Sequence, residues 1–141
     1  LNIDFSGFAS ISPVQSNLFS NLEGQFDLIF ANPPYLIDPE QRQYRHGGNE
    51  LDGNELSFKI IKQGLQRLNS GGRLFLYTGA TITRNGNRFL QYLQDLMQQH
   101  QNMHWSYEEI DPDIFGEELE QPAYQHVERI ALALIKIEVC D

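Results

Sequence analysis

Apolar positions along the chain fall into two periodicities. "FDLIFA" at 26–31 is a short apolar run of strand length, and its lack of alternation suits a strand covered on both faces. "GGRLFLY" at 71–77 repeats that pattern. Between them Leu56, Ile60, Ile61, Leu65 and Leu68 recur at helical spacing, with Asp52 and Glu55 as a start signal and Gly71-Gly72 as a stop. The spacing predicts a strand–helix–strand unit with a right-handed crossover. Phe89, Leu90, Leu93, Leu96 and Met97 share one face of a second helix over 87–100. In "MHWSYEEI" at 103–110, Trp105 and Tyr107 alternate with polar residues, which predicts a half-exposed strand, and "VERIALALIKIEV" at 127–139 is the longest strand candidate. The segment joining these two has no helical stripe long enough for a parallel crossover, so they are expected to pair antiparallel as a terminal hairpin. Near the start, "ASISPVQSNLF" predicts an edge strand over 9–16, interrupted by Pro13. The sum is an α/β sheet, mostly parallel, with a C-terminal antiparallel hairpin.

Composition changes this picture little. The 141 residues, 40% hydrophobic and 11% aromatic, suffice for one domain with a real core. No apolar run reaches the ~18 residues of a membrane span, and "LNIDFSGFAS" lacks the pattern of a signal peptide. A single cysteine, Cys140, leaves no internal disulfide and no cysteine-rich metal site, and a cytoplasmic setting is the expectation. His46, His100, His104 and His126 are scattered without metal-ligand spacing, so no zinc site is expected.

Charge carries more information. The net charge is -9, and Glu108, Glu109, Asp111, Asp113, Glu117, Glu118 and Glu120 crowd one stretch, read as a solvated loop. Such a surface suits phosphate backbones poorly, because nucleic-acid binding rests largely on Lys and Arg.

The candidate chemistry lies in "IFANPPYLID", 29–38. In open α/β sheets ligands bind beyond the carboxyl ends of the strands, where Asn32 to Tyr35 fall. The Asn32 side chain offers one carbonyl and one amino group. Pro33 and Pro34 contribute carbonyls but no N–H, and they stiffen the turn. Together these residues make an acceptor-rich pocket for a planar N–H₂ group, and the Tyr35 ring could stack on a flat substrate or face a sulfonium cation. A plain turn closing a buried strand accounts for the same tetrapeptide. Nearby, Gly47, Gly48, Asp52 and Gly53 form a turn by the substrate or simply begin the helix. His46 reads as a solvated loop residue, and Tyr77 as half-buried packing at a strand end.

"FDLIFANPPY" resembles the signature of class I S-adenosylmethionine-dependent methyltransferases that act on planar nitrogens, including release-factor glutamine methyltransferases and adenine amino methyltransferases of DNA and RNA. The later "YRHGGNELDGNELSFKII", "GGRLFLYTG" and "DPDIFGEEL" are similar to the small methyltransferase group, so the resemblance runs from about Val14 to the C-terminus. It implies a Rossmann-like sheet of order 3-2-1-4-5-7-6 and S-adenosylmethionine as cofactor. Asn32 and Pro33 would accept hydrogen bonds from the target nitrogen, Pro34 would stiffen their turn and Tyr35 would pack on the substrate. Asn17 stands where the family places an acidic residue against the cofactor's adenine, so the cofactor side is assigned to Asn17, Leu18 and Asn32.

The family also binds its cofactor through a first strand and a Gly-rich turn, and no G-x-G-x-G or G-x-G-x-x-G occurs here. Residues 1–141 are therefore expected to be the C-terminal portion of one methyltransferase domain, with the first two strands missing and the isolated chain inactive. Exposed strand edges in such a piece invite self-association. The expected acceptor is a glutamine amide of a protein; the alternatives are an amino group of an RNA or DNA base, or a non-catalytic fragment.

Overall fold

The computed structural model describes residues 10–140. Its elements are β1 (Phe26–Ala31), α1 (Glu55–Gly64), β2 (Leu68–Thr83), β3 (Gly86–Asn87), α2 (Arg88–Met97), β4 (Met103–Asp111) and β5 (Val127–Val139). The sheet runs β1-β2-β5-β4, with β3 a short return paired to the end of β2. β1 and β2 are parallel, and β5 lies antiparallel to both β2 and β4. This matches strands 4-5-7-6 of the expected order, with β4 and β5 as the predicted hairpin.

One face of the sheet carries the core. Ile29, Leu74, Leu76, Ile135 and Ile137 pack there against Ile60 and Ile61 of α1 and Phe89, Leu93 and Met97 of α2. Each such buried side chain contributes about 1.5–3 kcal/mol. Trp105 and Tyr107 close this layer from β4, as their alternation predicts. Asn87 caps α2 by accepting from the Leu90 N–H at 2.9 Å, and its amide donates to the Tyr107 hydroxyl at 2.8 Å, tying the helix start to β4.

Three local expectations are corrected. Residues 10–16 form no strand: Ile11 and Val14 are exposed, and no neighbouring strand offers them a ladder. Ala9 lies outside the described residues. α1 ends at Gly64, before the Gly71-Gly72 stop signal, because β2 already begins at Leu68 to pair with Phe26. The glycine pair instead lets the strand bulge: Gly71 has φ 68, and a Cβ on Gly72 would sit 2.8 Å from the Asn69 carbonyl. Finally, "FDLIFA" is covered on one face alone among the described residues. Ile29 is buried, whereas Leu28 and Phe30 are 60% and 71% exposed, and both helices lie on the other side of the sheet.

Candidate active site

Because β1 stops at Ala31 while β2 continues to Thr83, the chain leaving β1 turns across the sheet beside the last residues of β2. Asn32 is exposed there, Pro33 is buried, and Pro34 and Tyr35 are half-buried. They line a cleft of about 320 Å³ together with Leu36, Tyr44, Arg45 and Phe115. No protein hydrogen bond among the described residues occupies the Asn32 side chain, so its carbonyl and amino groups are free for a ligand. The two proline nitrogens carry no hydrogen, which leaves this ledge rich in acceptors.

Glycines seat the tetrapeptide. A Cβ on Gly47 would meet the Pro34 carbonyl oxygen and the Tyr35 Cα at 2.7 Å, and one on Gly53 the Tyr35 carbonyl oxygen at 2.5 Å. From the sheet side, a Cβ on Gly79 would lie 2.6 Å from the Tyr35 ring. Backbone and ring are thus fixed from three directions, each requiring that the neighbour lack a side chain. The turn of Gly47 to Gly53 lies against Pro34 and Tyr35 and also leads directly into α1. Burial, then the neighbouring Tyr77, raises the pKa of Tyr35, which keeps its ring neutral.

A buried polar network holds the rim. Asp38, 2% exposed, accepts from the Arg42 backbone N–H and from Arg42 Nε, both at 2.8 Å, and from Arg42 Nη2 at 2.5 Å. These hydrogen bonds from Arg42 pull the Asp38 carboxyl down to about 2. Arg45 donates to Glu118, whose other carboxylate oxygen accepts from Gln121 Nε2 at 2.5 Å. The acidic stretch read as a solvated loop departs from that reading twice: Glu108, Glu109 and Asp111 belong to β4, and Glu118 is 4% exposed. Its partner on the cleft side repays the desolvation of a buried charge. Tyr124, fully buried, accepts from the Ile37 N–H at 2.7 Å, and burial pushes its hydroxyl up to about 12. His46 is half-buried rather than solvated; its Nδ1 accepts from the Asp38 N–H at 3.1 Å.

Phe115 reaches the cleft from the β4–β5 connection. Its ring centroid stands 6.3 Å from that of Tyr35, tilted by 43°, and its backbone has φ 55. A left-handed conformation at a non-glycine residue costs about 1–2 kcal/mol, which the turn anchored by Glu118 sustains.

The residues assigned to the cofactor separate. Asn32 lies in the cleft. Asn17 is exposed in a turn, and Leu18, at φ 52, lines an apolar groove along β1 with Phe19, Leu22, Leu28 and Phe30. Tyr44, Arg45, Gly79 and Phe115 were not singled out from the sequence. The one available signal is that Tyr44 and Arg45 directly precede the His46-Gly47-Gly48 turn.

The Eco57I restriction-modification methylase family model matches residues 3–115. Among curated relatives, the release factor glutamine methyltransferase of Rhodopirellula baltica is 35% identical over 78 residues, covering 47% of this chain and 26% of that protein. The ribosomal RNA small subunit methyltransferase C of Cronobacter sakazakii is 33% identical over 73 residues, covering 49% of this chain and 17% of that protein. A solved rRNA methylase from Streptococcus thermophilus aligns with 89% of this chain and 57% of its own at 15% identity, with TM-score 0.47. The matches span about a quarter or less of the curated relatives' length.

Proposed function

We propose, from the premise that this chain belongs to the Eco57I restriction-modification methylase family, that it carries the methyl-acceptor site of an S-adenosylmethionine-dependent N-methyltransferase. The observation that carries this reading is the ledge that begins at Asn32: its side chain has no partner among the described residues, and Pro34 and Tyr35 behind it pack closely against Gly47, Gly53 and Gly79 in the wall of the cleft. Methyl transfer from a sulfonium to nitrogen is an in-line displacement, so most of the acceleration comes from holding the two reactants at near-attack distance. S-adenosylmethionine supplies the electrophilic methyl group when bound. Asn32 and Pro33 hold the hydrogens of the target nitrogen and orient its lone pair outward. Pro34 removes backbone freedom from that turn, and Tyr35 packs against the planar group. Such groups, fixed before the reaction, need no reorganisation as charge shifts.

Leu18 at the β1 groove and the Asn32 side chain are proposed to face the cofactor, with Asn17 at the rim. The rest of the cofactor-binding elements are proposed to pair with the free edge of β1 and cover Leu28 and Phe30, making residues 1–141 the C-terminal portion of one domain. The open edge and exposed apolar side chains support this.

The acceptor proposed is a glutamine amide of a protein. Glu108, Asp111, Asp113, Glu117 and Glu120 are exposed in and around the segment that carries Phe115 to the cleft, a rim that repels phosphate and suits a basic polypeptide. A second reading, the amino group of a nucleic-acid base, draws on Tyr44, 77% exposed at the cleft mouth, as a stacking surface. Incubating a cell extract with labelled S-adenosylmethionine and the full-length protein, then locating the label by mass spectrometry, decides between them. Label on glutamine is expected, label on RNA or DNA selects the second reading, and label retained by Asn32→Ala sinks the site itself.

A further inference from the structure

Arg45 enters the cleft with unspent hydrogen-bonding capacity. Its backbone is pinned directly beside the tetrapeptide, because the Leu36 N–H donates to the Arg45 carbonyl at 3.3 Å and the Gly47 N–H to the Leu36 carbonyl at 2.8 Å. Its side chain lines the cleft with Asn32 and Pro33 and is 29% exposed. Of its five N–H donors, those of Nη2 meet Glu118, while Nε is buried without a partner. Asp38 Oδ1 lies 3.7 Å from that Nε, an ion pair beyond hydrogen-bond distance, and accepts its hydrogen bond from Arg42 Nη2 instead. The cleft thus sets two acceptors, at Asn32 and Pro33, in one wall and a cationic donor in another.

We infer that Arg45 is the specificity-determining donor of the acceptor site. It binds the oxygen conjugated with the methylated nitrogen, so that the cleft takes a primary carboxamide and turns away an alkyl amine. A carboxamide presents N–H donors and a carbonyl acceptor in one plane, the complement of this arrangement. An ammonium group of similar length offers Arg45 only repulsion and leaves its donors unmet. The inference rests on the reading of Asn32 and Pro33 as the methyl-acceptor site.

Three lysine-flanked peptides differing only in a central glutamine, its γ-methyl ester or ornithine test it on the full-length protein. The ester keeps the carbonyl and loses the N–H donors; ornithine keeps a nitrogen and loses the carbonyl. Arg45→Gln is expected to raise KM for the glutamine peptide and weaken binding of the ester peptide by about tenfold or more, as loss of a charged hydrogen bond does. Binding of S-adenosylmethionine should be unchanged, and the ornithine peptide, freed of the repulsion from Arg45, should bind more tightly, never more weakly. Glu118→Gln, which keeps Arg45 but weakens its anchor, should have the smaller effect. Equal losses in the two variants would make Arg45 a loop strut and overturn the inference. If Arg45→Gln does not fold, Arg45→Gln/Glu118→Gln, which leaves no buried carboxylate unpaired, takes its place under the same criteria. Wild-type protein that methylates a nucleic-acid base but not the glutamine peptide overturns the protein-substrate reading, and this inference with it. Wild-type activity on glutamine with an unaffected Arg45→Gln overturns this inference alone.

Discussion

The two ends of β1 live under opposite constraints. Beyond its carboxyl end, Pro34 and Tyr35 pack closely against the backbones of Gly47, Gly53 and Gly79, beside the ion pairs of Asp38 with Arg42 and of Glu118 with Arg45. Along its outer edge and open face, Leu28 and Phe30 project into solvent, and only β2 pairs with the strand among the described residues. A groove lined by Leu18, Phe19, Leu22 and Phe26 runs beside them. The same six-residue strand is therefore closely packed where it leads into the cleft and loosely covered where apolar area lies open. The proposed acceptor site falls at the packed end, and the proposed docking of further structure at the open one.

The strongest way to sharpen this comparison is to remove the acceptor. Asn32→Ala in the full-length protein should lower turnover by about a hundredfold to a thousandfold, with cofactor affinity, measured by calorimetry, changed far less. Equal loss of both would place Asn32 in cofactor binding alone.

Next in size is the contrast between the two faces of β1. Ile29→Ala should destabilise both the 141-residue chain and the full-length protein by about 2–4 kcal/mol in denaturant titrations. Phe30→Asp should cost less than about 0.5 kcal/mol in the chain alone yet, if its face is covered as proposed, well over 1 kcal/mol in the full-length protein. An equal, small cost in both would mean that nothing docks there.

Overpacking beneath Tyr35 comes third. Gly79→Ala puts a methyl group within 2.6 Å of the ring and should cost about 1–3 kcal/mol. Most of that penalty should vanish in a Tyr35→Ala background, and a double-mutant cycle measures the coupling.

The smallest effect is acid sensitivity of the rim. Asp38 has its pKa lowered in the folded state, from 3.8 to about 2, chiefly by the hydrogen bonds from Arg42. A depressed carboxylate contributes stability above its unfolded value, and that contribution disappears as pH falls through the folded one. Amide exchange at Arg42, whose N–H donates to Asp38, should therefore accelerate between about pH 4 and pH 2 beyond the exchange of core amides; Asp38→Asn should abolish the step.

Much of this was legible in the sequence. β5 was read at its observed bounds, and β4 within one residue, because strand alternation is a local signal that needs no knowledge of neighbours. Asn32 to Tyr35 stand out for a similar reason: four contiguous residues form the turn that lines the cleft. Arg45, Gly79 and Phe115 escaped because they meet the tetrapeptide only through pairings set elsewhere, Gly79 by the β1–β2 register and Phe115 by the β4–β5 hairpin. Glu118 was hidden by its acidic neighbours, since composition cannot say which of several carboxylates finds an arginine. The strand expected over 9–16 failed in the converse way over its described residues: Ile11 and Val14 are apolar, but a strand also requires a partner, and residues 10–16 have none among the described residues. Leu28 and Phe30 illustrate a third case: an apolar run without alternation does not say which face is covered, and among the described residues only one is.

The place of β5 in the sheet also dictates when the site can exist. β5 is made last, yet it lies between β2 and β4 and pairs with both along most of its length. During vectorial synthesis β2 and β4 therefore wait, with open edges, until residues 127–139 have left the ribosome. The bond from Arg45 to Glu118 and the seat of Phe115 wait with them. A truncation that removes β5 would thus erase the acceptor cleft, although it deletes none of the residues that line it.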